Sequence, residues 1–266
     1  METLKLVIYS GIAGIIGTGI GGLIGIFLGK KSIRTVSIIL AFAGGIMISI
    51  SVFDLIPESY MLGGTYITVF GVLVGILLIS ALNYWLDKIT QKKDSKVRIH
   101  STLESLYHEE EIINNKQNNT KLLKLGSIML LAIALHNFPE GMAIGSSGSI
   151  NTNLGLTLAI LLALHNIPEG MAMSVPLIAG GLTRLKTIML VLVAGAITIL
   201  GGLFGAYIGN IGGNVTALAV SFAAGAMLYV TFCEIIPQSI LMEKGKLSML
   251  VLVLGILAGF TITNAL

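Results

Sequence analysis

The chain has 266 residues, 55% of them hydrophobic and only 11% charged, with a formal net charge of +3 and a mean hydropathy of +0.93. Soluble domains carry about 25% charged residues. So much apolar surface cannot be covered by so little polar surface, which excludes a water-soluble globule, a disordered chain and a nucleic-acid binder. The charges lie in short clusters between long apolar runs, the pattern of a polytopic membrane protein.

A bilayer-crossing helix needs about 20 mostly apolar residues. The apolar runs predict eight such spans, over 6–28, 34–57, 66–86, 122–145, 154–177, 187–209, 215–240 and 247–265. The runs are continuous, unlike the short alternating segments of an outer-membrane barrel. No small-residue cleavage site with a polar start follows the first run, so it reads as a span rather than a signal peptide. The single cysteine, Cys233, falls inside a span and offers no disulfide framework.

Lysine and arginine mark the cytoplasmic side. Lys30, Lys31 and Arg34 lie between the first two spans, and eight more basic residues from Lys88 to Lys124 lie around the loop between spans three and four. Arg184 and Lys186 separate spans five and six, while Lys244 and Lys246 separate seven and eight. Only Lys5 lies opposite, so both termini are expected outside the cell.

An internal repeat organises these spans. Residues 17–29 align without gaps on 197–209 with six identities, and 41–59 align on 221–239 with seven, both at an offset of 180. The second match places Asp54 on Glu234 and Pro57 on Pro237. Five crossings separate each partner from its copy, so the partners run in opposite directions. The expected fold is an all-α membrane protein with eight transmembrane helices in a 3+2+3 inverted-repeat arrangement. Its parts are 1–90, a cytoplasmic loop over 91–121, 122–180 carrying spans four and five, and 181–266. Inverted repeats of this kind are typical of secondary transporters with sites near the midplane.

Spans four and five match each other: ALHNFPEGMA at 134–143 differs from ALHNIPEGMA at 163–172 at one position. Charged side chains in a bilayer are costly and mark function. His136 and Glu140 are four apart and share a helix face, as do His165 and Glu169. If the two faces meet, two imidazoles and two carboxylates converge on one point. Imidazole nitrogen with carboxylate oxygen suits a divalent first-row metal of the zinc type, and the absence of thiolate disfavours copper. Pro139 and Pro168 remove the amide that would bond the carbonyls of Leu135 and Leu164. One His–Glu pair alone would read equally well as a structural clamp; two copies on adjacent antiparallel spans favour a metal site.

The paired HNFPEGMA (136–143) and HNIPEGMA (165–172) resemble the span-four and span-five signatures of the ZIP (Zrt-, Irt-like) metal transporters. The resemblance extends over essentially the whole chain and is strongest to the bacterial ZupT/GufA-like branch. It implies import of divalent metals such as zinc, iron, manganese, cobalt or cadmium, with a primary site of His136, Glu140, His165 and Glu169. It implies a second site of Asn137 and Asn166 bridged by Glu140 and Glu169, and Met47 as a weak extra ligand. Related members often carry Glu-Pro in span six, where this chain has Thr198 and Ile199, so the second site lacks a carboxylate. The resemblance further implies a homodimer in a bacterial inner membrane and an elevator-like movement.

Asp54 and Glu58 are expected near the outer end of span two and Glu234 near the cytoplasmic end of span seven, as acids along the transport pathway or as interfacial acids reaching water. His100 and His108 in the 91–121 loop are possible weak metal ligands within a polar linker. No GxxxxGK[ST] run is present. The chemistry thus reads as transport of zinc or another divalent metal as substrate, with no catalytic cofactor and the lipid bilayer as surroundings. A metal-selective channel would use the same site. An intramembrane metalloenzyme is the remote alternative, because HExxH is missing and only two histidines lie in spans.

Overall fold

The computed structural model describes residues 2–28, 33–91, 119–242 and 246–265. The His100 and His108 loop lies outside them. In chain order the helices are α1 (Glu2–Gly11), a π-helical turn π1 (Ile12–Gly17), α2 (Thr18–Leu28), α3 (Ile33–Ile50), π2 (Ser51–Leu55), α4 (Ile56–Gln91), α5 (Asn119–Ile150), α6 (Thr152–Ala179), α7 (Arg184–Gly209), α8 (Gly213–Val230), π3 (Thr231–Ile235), α9 (Ile236–Met242) and α10 (Leu247–Ala265).

The residue distribution is inverted relative to a soluble fold. Leu185, Val193, Leu200, Phe204 and Tyr207 point outward from α7, whereas His136, Glu140, His165, Glu169 and Thr198 are wholly buried. An all-helical fold satisfies backbone groups within each segment, as a bilayer interior demands. Among the described residues, five stretches qualify by length and hydropathy as membrane spans: Thr3–Phe27, Ser37–Trp85, Thr152–Ala179, Arg184–Gly209 and Gly213–Ile235, with the shorter apolar Leu247–Thr263 besides. The protein is therefore a multi-pass, all-helical membrane protein.

The run expected over 122–145 lies within α5, Asn119–Ile150. Ser37–Trp85 is one 49-residue stretch, about 74 Å of helix against a hydrocarbon core of about 30 Å. The break expected between residues 57 and 66 shrinks to Gly64, whose φ of 73° is the only non-helical conformation inside α4. A glycine alone adopts that angle without strain. Between α5 and α6 the connection is likewise a single residue, Asn151, whose side chain caps α6 by accepting from the Asn153 amide at 2.9 Å.

Helices pair closely: α5 with α7, α2 with α6, α4 with α8, α3 with α10, and α5 with α6. Small residues carry these contacts. A β-carbon on Gly141 would strike the Thr198 carbonyl, and one on Gly170 the Thr18 carbonyl. Gly201 meets the Phe138 carbonyl in the same way, and Gly21 the Ile167 carbonyl. Such close approach is how helices associate where water supplies no drive.

Buried hydroxyls tie the outer helices together. Ser37 donates to the Ser239 carbonyl at 2.6 Å and meets Ser248 Oγ at 2.9 Å, while Ser239 donates to the Ser37 carbonyl at 2.9 Å. Ser59 meets Thr68 Oγ1 at 3.0 Å and donates to the Ala217 carbonyl at 2.8 Å. Ser239, Ser248 and Ser37 lie 180 residues from Ser59, Thr68 and Ala217 respectively, allowing for the repeat wrapping from the second half to the first. Ser37→Ala is expected to lower stability by about 1 kcal/mol, because it removes the hydroxyl that joins the Ser239 carbonyl and Ser248 Oγ in a dry interior. A fall in the thermal midpoint in detergent, absent for an exposed serine such as Ser127, is the check.

Candidate metal centre

The cluster forms where α5 and α6 cross. The one-residue connection at Asn151 makes the two helices antiparallel neighbours, and the repeated HNxPEG segments come opposite each other. His136 Nε2 lies 2.9 Å from Glu169 Oε1, and His165 Nε2 lies 2.9 Å from Glu140 Oε1. Within each helix the four-residue spacing gives 3.8 Å for His136–Glu140 and 3.7 Å for His165–Glu169. Each carboxylate thus faces both imidazoles. Ligand atoms of His136, Glu140 and Glu169 lie within 4.8 Å of one another, a spacing that one cation can bridge.

All four side chains are buried. Among the described residues, Nδ1 of both histidines and Oε2 of both glutamates have no hydrogen-bond partner. A metal ligand imidazole is neutral, so as a ligand set the two histidines and two carboxylates carry a net negative charge that a dry interior penalises unless a cation balances it. A divalent cation held by nitrogen and oxygen meets that demand, and the donor set fits zinc-type metals.

The other residues singled out from the sequence fall into separate places. Asn137 and Asn166 stand beside the histidines, but their amides point to neighbouring backbone: Asn137 Nδ2 donates to the Ala194 carbonyl at 2.9 Å and Asn166 Nδ2 to the Ala13 carbonyl at 3.1 Å. Their Oδ1 atoms remain without partners among the described residues, as does Thr198 Oγ1. Met47 is buried, and its sulfur takes a 3.6 Å contact from Thr231 Oγ1. Glu58 is half-buried in the surroundings of Asp54 and Ser147, the latter on α5. Glu234 is buried and accepts from Asn83 Nδ2 at 2.5 Å.

Asp54 and Glu234 each sit in a π-helical turn, π2 and π3, which occupy identical places in the two repeats. Both the turns and the Asn83 contact escaped the sequence reading. A lone amide at the end of span three carries no pattern, and a π turn leaves no mark on hydropathy. Each turn lies just ahead of Pro57 or Pro237, the one signal that could have pointed to it.

Comparison with known proteins decides the family: residues 4–266 match the ZIP zinc transporter family. The chain belongs to the ZIP family. The zinc transporter ZupT of Streptococcus mutans is 33% identical over 250 residues, covering 90% of this chain and 88% of that protein. ZupT of Chlorobium chlorochromatii is 31% identical, covering 88% and 86%, and ZupT of Campylobacter jejuni is 33% identical, covering 92% and 89%. ZIP membership supports divalent metal as the transported substrate and points to a transporter rather than an enzyme, consistent with a buried His/Glu cluster that could bind metal.

Proposed function

We propose that this ZIP protein carries zinc, and also iron, manganese, cobalt or cadmium, into the cytoplasm by alternating access. His136, Glu140, His165 and Glu169 strip the metal of water at the midpoint of the path. The observation that carries this reading is the crossed geometry, in which each carboxylate faces both imidazoles at 2.9 and 3.7–3.8 Å in a fully buried setting. Imidazole and carboxylate replace the hydration shell, and the borderline softness of the set favours zinc over hard ions.

Eight crossings in a 3+2+3 arrangement fit the helix pairing, with α2–α6 mirroring α7–α5 and α3–α10 mirroring α8–α4. The arrangement makes two inverted halves that exchange roles as the site opens to either face. Both termini lie outside the cell and the basic loops face the cytoplasm, by the lysine and arginine distribution. Asp54 and Glu58 attract cations at the outer mouth and Glu234 at the inner one. The protein works as a homodimer in a bacterial inner membrane.

Purified protein in liposomes loaded with a zinc-sensitive dye tests this. Saturable zinc influx, accelerated from the face opposite the basic loops, is the expected result. Flux that rises linearly with zinc and never saturates would indicate a channel and overturn the carrier mechanism.

A further inference from the structure

A buried serine in a helix bonds back to a carbonyl of its own helix when no other acceptor is near. Ser10, Ser146, Ser174 and Ser221 do so. At the end of α5, Ser146 Oγ donates to the Met142 carbonyl at 2.7 Å and also reaches the Ala143 carbonyl at 3.3 Å, and Ser149 Oγ donates to the Ser146 carbonyl at 2.7 Å. Ser147 lies between them, wholly buried, and its hydroxyl has no hydrogen-bond partner among the described residues. The carbonyl four residues back, that of Ala143, is the one Ser146 shares. The Ser147 hydroxyl faces Glu58, on α4, without a formed hydrogen bond.

Glu58 has the same deficit. Its Oε1 is buried without a partner among the described residues, and the charged group beside it is another acid, Asp54. Among the described residues neither acid pairs with a basic side chain. Two carboxylates and an unused hydroxyl thus converge with no positive charge to balance them.

The inverted repeat sets this corner apart. DLIPES at 54–59 aligns on EIIPQS at 234–239, so Asp54 falls on Glu234 but Glu58 falls on Gln238. The HNxPEG repeat likewise places Pro176 opposite Ser147. One half carries two acids and a hydroxyl where the other carries an acid, an amide and a proline. The three residues also come from different helix groups: α4 packs on α8, and α5 on α7 and α6, while α4 and α5 share little backbone contact. Ser147 lies two turns beyond Glu140, about 10 Å along α5, too far for its oxygen to reach an ion held by the His/Glu cluster.

We propose that Asp54, Glu58 and Ser147 form a second cation site, built from oxygen alone, which bridges α4 and α5 and takes a hard divalent ion such as calcium or magnesium, with water completing its shell. Oxygen donors without nitrogen or sulfur suit those ions, whereas imidazole suits zinc. An ion held there ties the two helix groups together at one face and slows any cycle in which they move apart. That consequence alone rests on the alternating-access reading.

Equilibrium binding of radioactive calcium to the purified full-length protein in detergent tests the site. One calcium per chain is the expected result. Ser147→Ala should weaken it about fivefold, the scale of one neutral donor, and Glu58→Gln about tenfold or more, since ligand charge sets calcium affinity. Ser147→Ala removes a hydroxyl that has no partner, so its thermal midpoint without calcium should hold or rise. That variant decides the matter if Glu58→Gln does not fold. Calcium binding should survive in Glu140→Gln, and external calcium should slow zinc uptake into wild-type proteoliposomes more than into those with Ser147→Ala.

No calcium binding, or binding that Ser147→Ala and Glu58→Gln leave unchanged, would overturn the proposal, as would its loss in Glu140→Gln. Calcium that binds without slowing uptake would overturn the bridging role. Zinc uptake in Glu140→Gln without calcium reports on the transport site separately, so failure of that reading is distinguishable from failure of this one.

Discussion

Glu140→Gln and Glu169→Gln are each expected to lower saturable zinc uptake by about a hundredfold or more, because even groups that only orient a metal ligand are worth about 10–100-fold. Glutamine keeps the volume and one acceptor oxygen, so helix packing at the α5–α6 crossing survives while the charge that holds the metal is lost. The effects should be alike for the two sites, since each carboxylate faces one histidine at 2.9 Å and the other at 3.7–3.8 Å. The double variant should be little worse than either single one, since groups acting on one ion are not additive. Initial rates in proteoliposomes, with protein recovery checked by size exclusion, separate loss of function from loss of fold. Full uptake by both variants would make the four residues a structural clamp.

The second large effect falls on glycines. Gly141→Ala and Gly170→Ala are expected to destabilise the protein severely, by about 3 kcal/mol or more, the upper end of overpacking costs. The new β-carbon would press on the backbone carbonyls of Thr198 and Thr18, which no rotamer change can move aside. Gly11→Ala provides the contrast. Its β-carbon would lie 3.6 Å from the flexible end of Ile199, and alanine is favoured over glycine in a helix by about 1 kcal/mol. Thermal midpoints in detergent should therefore fall for the first two variants and hold or rise for the third. Equal behaviour of all three would show that α5–α7 and α2–α6 contacts are looser than the carbonyl contacts imply.

How much of this was legible in the sequence depends on whether a feature leaves a periodic or chemical mark. The His/Glu set was legible because two ten-residue segments repeat it, and a four-residue spacing fixes a shared helix face whatever the surroundings. The chain's membrane character was legible from hydropathy alone. The break between spans two and three was legible as the gap between 57 and 66, but its place at Gly64 was not, because one glycine with a positive φ looks like any other among 33. The π turn over Ile12–Gly17 was invisible, since the alignment of the two repeats runs without gaps from Gly17 onward and the extra residue lies just upstream. Contacts that cross between helices, such as Asn166 to Ala13 against Asn137 to Ala194, reveal that shift. Hydroxyl contacts such as Ser37 with Ser239 and Ser248 depend on which helices meet, and serine in an apolar run gives no hint of its partner.

Diffraction from crystals grown with zinc, collected at the zinc absorption edge, tests the central claim most directly. The expected result is an anomalous peak between His136, Glu140, His165 and Glu169, with metal–nitrogen and metal–oxygen distances of about 2.0–2.2 Å. A zinc peak elsewhere in the chain, with these four side chains still paired to one another, would contradict it.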